Sequence, residues 1–191
     1  MDQEEIAEKI YEWEVGVIPT DTLYGLVGSA LVSDVVDRIY ELKRRDATKP
    51  LIVLIPHVEA LSQFGVELSE RLIAQLKTYW PDEIDEGDSS KEAYTIVLPI
   101  IDEQFEYLSR GTNTIAFRRP NMLKLQTLLT MTGPLVAPSA NIEGLPPAKN
   151  VTEARRYFGT DVDFYVEGEE LEGKPSIIIE FDGEDVRIIR D

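Results

Sequence analysis

Residues 133–150, GPLVAPSANIEGLPPAKN, decide the fold that we predict for this chain. The stretch begins with a short apolar strand at 134–137 and then changes abruptly to the polar cluster Ser139-Ala140-Asn141. A loop rich in Gly and Pro follows, before a helix that starts near Asn150. Open α/β sheets bind ligands at the carboxyl ends of their strands, so the polar cluster is a candidate site. Ser, Asn, Gly and Pro are also the ordinary residues of turns, and the stretch alone leaves a plain turn as the alternative.

The sequence on either side alternates between strand and helix patterns. Short apolar runs predict strands at 15–18, 51–55, 94–99, 114–117, 163–166, 176–181 and 186–189. Helical spacing predicts helices at 4–14, 58–64, 68–79, 102–108, 122–131 and 151–158, the last capped by Asn150 or Thr152. Ser33-Asp34 is predicted to cap a further helix, which has the buried stripe Val35, Val36, Ile39, Tyr40 and Leu42.

The order of these elements predicts the class of the fold. Strands alternate with helices early in the chain, whereas the last two strands are joined by Asp182-Gly183 as a hairpin. This order predicts an α/β protein with a twisted mixed β-sheet and flanking helices. No repeat and no linker interrupts the pattern, so we expect a single domain over residues 1–191.

Composition excludes several classes of protein. The chain of 191 residues has no cysteine, which excludes disulfides, zinc–thiolate sites and cysteine nucleophiles. No apolar run approaches the ~20 residues of a membrane helix, and the acidic N-terminus is unlike a signal peptide, so we expect a cytoplasmic protein. The net charge of −17 opposes broad binding to nucleic acid, which needs a basic face. A small basic pocket for a phosphorylated ligand remains compatible with this charge.

Hydroxyl and cationic side chains occur where the predicted elements end. Arg and Lys combined with Ser and Asn donors suit a polyphosphate, yet neither a G-x-x-x-x-G-K-[ST] loop nor a G-x-G-x-x-G motif is present. His57, the single histidine, is predicted to be an exposed loop residue rather than a catalyst. The residues at the element ends are Thr20, Thr22, Lys43, Arg45, Arg118, Ser139, Asn141, Ser176 and Arg190.

Five segments in order along nearly the whole chain resemble the YrdC/TsaC family of threonylcarbamoyl-AMP synthases. PTDTLYGLVG (19–28) resembles the family's P-T-E-T-x-Y-G-L-G, and LKRRDATKPLIVLI (42–55) resembles its K-x-R-x-x-x-x-P-L-x-V. TIAFRRP (114–120) is similar to T-x-A-x-R-x-P, and GPLVAPSANIEG (133–144) to the segment with S-x-N. KPSIIIEFDGEDVRIIR (174–190) resembles P-S-T-I-V-D followed by V-x-x-x-R.

The resemblance implies a twisted open sheet with a large concave cleft, in which threonine, bicarbonate and ATP form threonylcarbamoyl-AMP and pyrophosphate for tRNA modification. Mg²⁺ is expected on the ATP phosphates, and no residue is predicted to bind a metal directly. The expected partners are these small-molecule substrates and proteins of tRNA modification. The implied threonine site consists of Thr22, Arg118, Ser139 and Ser176. The implied ATP site consists of Lys43, Arg45, Lys49, Thr114, Asn141 and Arg190, of which Lys43 and Arg45 are also implied as catalytic residues.

The chain departs from the family pattern at several positions. An acidic insertion at 82–93 stands where the family has a tight P-G-P-x-T segment. Glu143 replaces a usual Ser, Lys149 a hydroxyl residue, and Ile177 the Thr of P-S-T. These departures keep two alternatives open: a diverged relative that binds another acyl or carbamoyl nucleotide, and an RNA-binding module, which the negative charge opposes.

Overall fold

Strands in the described residues, 1–84 and 92–191, form one mixed β-sheet in this computed structural model. The strands are β1 (Gly16–Pro19), β2 (Tyr24–Ser29), β3 (Ile52–Leu54), β4 (Tyr94–Pro99), β5 (Thr114–Arg118), β6 (Leu135–Val136), β7 (Phe164–Tyr165), β8 (Ile177–Asp182) and β9 (Asp185–Arg190). Their spatial order is β7-β1-β2-β6-β3-β5-β4-β8-β9, with β7 and β9 as free edges. The sheet is therefore open, and its pairs are both parallel, as in β3–β5 and β4–β8, and antiparallel, as in β1–β2 and β8–β9. The predicted fold class is confirmed.

Helices cover the two faces of the sheet unequally. They are α1 (Gln3–Tyr11), α2 (Ser33–Lys43), α3 (Glu70–Tyr79), α4 (Glu106–Ser109), α5 (Leu123–Thr132) and α6 (Val151–Phe158), with 3₁₀ turns at Val58–Phe64 and Glu103–Phe105. Successive side chains of a strand point to opposite faces, so Ile115 and Phe117 of β5 enter the main core on one face. On the other face, α1 and α5 form a smaller core with residues of β1, β2, β3 and β6.

The half of this second face that α1 and α5 leave uncovered positions the candidate site. Thr114, Ala116 and Arg118 alternate with the buried residues of β5 and therefore share this open face. Val97 of β4 lies opposite Ala116 and is half-buried, as is Ile52 of β3 on the other side. Side chains from the middle of the sheet are thus accessible from one side only.

Two local predictions need correction. Helix α2 begins at Ser33, its N-cap is Val32, and no side chain caps it, so the predicted Ser33-Asp34 cap is wrong. Val32 packs against the main core, and this burial places the helix start directly after it. The β8–β9 hairpin is confirmed, but its loop is Gly183-Glu184, with Gly183 at a φ of +67° that favours glycine. Asn150 caps α6 as predicted, since its side chain accepts a hydrogen bond from Glu153 N.

The acidic insertion predicted at 82–93 is only partly within the described residues, because 85–91 lie outside them. The segments that flank it are joined by Trp80, whose indole Nε1 donates to Tyr94 O at 2.9 Å. The rings of Tyr79 and Tyr94 also pack edge to face, 4.9 Å apart.

Within residues 1–84 and 92–191, no helix is long and apolar enough to span a membrane.

Candidate active site

The loop between β1 and β2 is shaped by the hydroxyl of Thr20. Its Oγ1 donates to Leu23 O at 2.7 Å and accepts from the backbone N–H groups of Thr22 and Leu23 at 3.2 and 3.3 Å. A hydroxyl that replaces backbone partners in this way stabilises a tight turn. The turn holds Thr22 half-buried at the open face of the sheet.

Arg118, the last residue of β5, reaches this loop from the middle of the sheet. Its Nη1 donates to Thr22 Oγ1 at 2.9 Å, and its Nη2 donates to the carboxylate of Asp21. The second oxygen of Asp21 accepts from Asn121 N at 3.0 Å, so the carboxylate holds the guanidinium in one orientation. The side chains of Arg118 and Asp21 are only 7% and 10% exposed. Nε of Arg118 is buried with no hydrogen-bond partner among the described residues, and the residue lines the cavity described below.

The polar cluster Ser139-Ala140-Asn141, which follows β6, is hydrogen-bonded to β2 through its backbone. Leu26 N donates to Pro138 O at 2.8 Å and Ala140 N donates to Tyr24 O at 2.7 Å, with Ser139 opposite Gly25. This pairing brings Ser139 beside the Thr22 turn. Its hydroxyl donates to Asn141 Oδ1 at 2.6 Å. The opening stretch is thus an ordered strand end and not only a turn.

Lys43, the last residue of α2, holds the same cluster from inside the protein. Its Nζ donates to Ser139 O, to Asn141 O at 2.8 Å and to Asn141 Oδ1 at 3.2 Å, and the residue is 2% exposed. The pKa of Lys43 is lowered to about 7, mainly by burial and also by repulsion from Arg45, whereas Glu143 acts to raise it. These hydrogen bonds show that the Lys43 side chain orders Ser139 and Asn141 from the side that faces the protein interior.

A second wall comes from β4, β8 and β9. The hydroxyls of Thr95 and Ser176 lie 2.7 Å apart and both residues are buried. Arg190 Nη2 donates to Ser176 O at 2.8 Å, which places its guanidinium at the same wall. This wall combines two hydroxyls with one cation.

These walls enclose a cavity of about 110 Å³ on the open face. The cavity is open to solvent on one side and gathers residues from five separate segments of the chain. Its lining includes the predicted residues Thr22, Arg118, Ser139, Ser176 and Arg190, together with Thr20, Leu23, Tyr24, Gly25, Ile52, Ala137, Pro147 and Pro175.

The positive charge near the cavity is only partly balanced by carboxylates. Arg190 has a pKa below its usual range, first because it is half-buried and then because the guanidiniums of Arg45 and Arg118 repel its charge. Arg45 donates to the backbone oxygens of Lys49 and Pro50, both at 3.2 Å. Within 1–84 and 92–191, neither Arg45 nor Arg190 forms an ion pair with an acidic side chain. Three neighbouring guanidiniums with one carboxylate partner suit an anionic ligand.

Comparison with known proteins agrees with this arrangement. A family model described as "Telomere recombination", covering Sua5, YciO and YrdC, matches residues 8–191. The chain belongs to the Sua5/YciO/YrdC family.

Relatives within the Sua5/YciO/YrdC family are named as threonylcarbamoyl-AMP synthases. The protein from Pyrococcus abyssi is 29% identical over 189 residues, which cover 92% of this chain and 53% of the relative. The protein from Actinobacillus succinogenes is 31% identical over 158 residues, with 81% of each chain covered. The crystal structure of Pyrococcus abyssi Sua5 complexed with L-threonine superimposes with a TM-score of 0.84 and 29% identity, covering 98% of this chain and 53% of that one. The chain thus spans about half the length of the Pyrococcus protein.

Five of the six residues that the family resemblance assigns to ATP do not line the cavity, and Arg190 alone of the six does. Arg45 lies close enough for its charge to repel that of Arg190, but it is not a lining residue. Lys43 and Asn141 point inward, since Asn141 also donates to Ile142 O at 3.1 Å and to Leu145 O at 2.7 Å. Lys49 lies on the surface, in an ion pair of 2.6 Å with Glu143. Thr114 shares the open face but is at the start of β5, about 13 Å from Arg118 at ordinary strand spacing.

Several residues of the site were not assigned a role from the sequence. Asp21 orients Arg118, Thr20 shapes the turn, and Thr95 pairs with Ser176. The signal for Asp21 was available, because it lies inside the PTDT motif and is followed by two residues of the cavity. The partner of Arg118 lies 97 positions away in sequence, and only the folded chain brings the two together.

A segment at 167–175 packs on the Thr22 turn beside the cavity, and its last residue, Pro175, lines the cavity. Leu171 N donates to Lys149 O at 2.8 Å, and the Lys149 ammonium forms an ion pair with Glu172. Gly173 packs so closely on the Thr22 turn that a Cβ on it would lie 2.1 Å from Thr22 O. Lys149, a departure from the family pattern, therefore holds this segment in place.

The described residues form no cluster that would bind a metal ion directly. Within 1–84 and 92–191, no cluster of three or more His, Cys, Asp or Glu side chains has a geometry that would hold a metal ion. His57 is exposed, as predicted, and lies near Glu59 on the surface.

Proposed function

We propose that the protein is an ATP-dependent threonylcarbamoyl-AMP synthase of tRNA modification, folded as a single cytoplasmic domain. The observation that carries this proposal is the buried guanidinium of Arg118, held by Asp21 and Thr22 in a cavity beside the cations Arg45 and Arg190. The names of the relatives and the threonine complex of the Pyrococcus protein support the same assignment.

In this proposal the cavity binds threonine. The guanidinium of Arg118, which lines the cavity in a fixed orientation, suits the carboxylate of an amino acid. The hydroxyls of Ser176 and Ser139 line the cavity and are placed to hydrogen-bond the polar groups of a small substrate, while Thr95 supports Ser176 from inside the protein. A cavity of about 110 Å³ with these donors favours a small polar molecule over an extended one.

The proposed nucleotide site lies on the side of Arg45 and Arg190. Threonine and bicarbonate first form a carbamate with loss of water, and a carbamate oxygen then attacks the α-phosphorus of ATP. The new O–P bond forms as the bond to the β-phosphate oxygen breaks, and pyrophosphate leaves. The cations of the site reduce the repulsion between the two anions and position the attack, so no nucleophile from the protein is required. Magnesium enters this scheme as part of the Mg·ATP substrate, since Mg²⁺ is commonly bound through phosphates and few protein ligands.

The test is threonine-dependent release of pyrophosphate from ATP in the presence of bicarbonate and Mg²⁺. Arg45→Ala should lower the rate by about tenfold to hundredfold, the range for losing a hydrogen bond to a charged group. Arg71→Ala is the matched control, because Arg71 is a surface arginine whose pair with Glu184 is long, at 3.8 Å. Release that does not depend on threonine would refute the assignment. A thermal shift with ATP but none with threonine would favour the diverged relative that binds another acyl or carbamoyl nucleotide.

A further inference from the structure

Glu143 lies in the loop after the Ser139 cluster and contacts the segment that follows α2. Its backbone N donates to Lys43 O at 2.8 Å, and its Oε2 accepts from Asp46 N at 2.8 Å. Its Oε1 lies 2.6 Å from the Lys49 ammonium. Two contacts of the carboxylate and one of the backbone therefore fix Glu143 against the segment that carries the cations Lys43, Arg45 and Lys49.

The charge of Glu143 interacts with all three of these cations. Its pKa lies below the usual range because Lys49 and Asp46 N donate hydrogen bonds to it, and the charges of Lys49 and Arg45 add to this effect. Glu143 in turn raises the pKa of Lys43. At neutral pH the carboxylate is ionised, so it offsets part of the positive charge that a phosphate chain would use.

We propose that Glu143 is an internal competitor for the phosphate chain and sets the affinity of the polyphosphate site. Its carboxylate forms with Lys49 the ion pair that a phosphate oxygen would form. A phosphate group must therefore displace the carboxylate in order to contact the Lys49 ammonium. The inference rests on the proposed function only in taking the segment with Arg45 and Lys49 as the phosphate site. A fixed negative charge beside this site weakens a highly charged ligand more than a weakly charged one.

Binding of inorganic pyrophosphate, measured by titration calorimetry at low ionic strength, tests this role. Glu143→Gln removes the charge but keeps an amide oxygen that can accept from Asp46 N. We expect pyrophosphate to bind roughly fivefold to tenfold more tightly to this variant, from Coulomb interactions in a solvated site, and the gain to shrink at high salt. AMP, with about two negative charges against about three for pyrophosphate, should gain less, about threefold to fivefold, because the Coulomb term scales with the charge of the ligand.

Glu14→Gln is the matched control. Glu14 forms an ion pair of 2.8 Å with Lys9, and its side chain is 25% exposed, compared with 28% for Glu143. It lies before β1, at the opposite end of this strand from the cavity. This variant makes the same change in net charge and should leave the pyrophosphate affinity unchanged. An equal gain in both variants would mean that only the total charge matters and would overturn the proposal.

A double-mutant cycle with Lys49→Met tests the competition directly. If Glu143 acts by occupying Lys49, the gain from Glu143→Gln should be clearly smaller when Lys49 is absent. An identical gain in both backgrounds, no gain at all, or no pyrophosphate binding by any variant would overturn the proposal. Pyrophosphate binding needs neither threonine nor catalysis. A protein that responds as expected but lacks threonine-dependent turnover would therefore refute the proposed function and leave this inference intact.

Discussion

Asp21→Asn tests whether the buried ion pair holds the candidate site together. The substitution removes the charge that faces the Arg118 guanidinium and leaves one oxygen in place of two, so Asn can accept from Arg118 or from Asn121 N but not from both in the present geometry. Both partners of the pair are buried, at 7% and 10% side-chain exposure. The guanidinium would then remain buried without a compensating carboxylate.

The expected loss follows from this burial. Removing one partner of a buried ion pair costs about 3–5 kcal/mol, because the remaining charge stays desolvated. Asn can retain one of the two hydrogen bonds and Thr22 still accepts from Arg118, so we expect a loss of at least about 3 kcal/mol, within this range. A total stability of about 5–15 kcal/mol for a domain leaves the variant folded at low denaturant concentration.

Urea unfolding followed by circular dichroism measures this loss, with Asp37→Asn as the control. Asp37 pairs with Arg110 at 2.6 Å, but its side chain is 55% exposed, so its removal should cost less than about 1 kcal/mol. The double variant Asp21→Asn/Arg118→Met should recover part of the loss, because it leaves no unpaired buried charge. A loss for Asp21→Asn no larger than that of the control would refute the reasoning.

Two further predictions concern the inner and outer sides of the site. Lys43 has a pKa of about 7 in the folded protein and an ordinary value of 10.5. The unfolded chain therefore binds this proton more tightly, and the free energy of unfolding should rise by about 2 kcal/mol from pH 7 to pH 9. Lys43→Met should lose that rise in urea titrations at the two pH values, and a variant with the same pH dependence as the parent would contradict the prediction. Gly173→Ala places a Cβ 2.1 Å from Thr22 O, so we expect the segment at 167–175 to shift and the unfolding free energy to fall by about 1–3 kcal/mol. Lys174→Ala is its control in thermal unfolding, and equal effects of the two substitutions would count against the close packing.

Much of the architecture could be predicted from local pattern. Apolar runs and helical spacing located the helical segments and every strand except β2 to within a few residues, because a side chain's period of two or 3.6 decides which of its neighbours share a face. The strand β4 has the predicted bounds, and α6 begins after the predicted cap at Asn150. The start of α2 was wrong, because the burial of Val32, a tertiary contact, outweighed the capping preference of Ser33.

The candidate site was also predicted in part: the sequence identified residues of the site, but not the role of each. The motifs identified Thr22, Arg118, Ser139, Ser176 and Arg190, and the fold brings all five to one cavity. What each polar side chain does there depends on its partners, which come from distant segments.

The chain by itself therefore determined its element pattern, its family and the residue types of an anion site in an acidic protein. Only the tertiary structure decided that Lys43 faces inward to the Ser139 cluster, that Asp21 orients Arg118, and that Glu143 occupies Lys49. The physical reason is that periodicity and capping act over a few residues. Burial and charge pairing act across strands that are distant in sequence and adjacent in space. The polar cluster at the end of β6 can be recognised as a sequence motif. Its role, however, depends on burial and on contacts with residues that are distant in sequence.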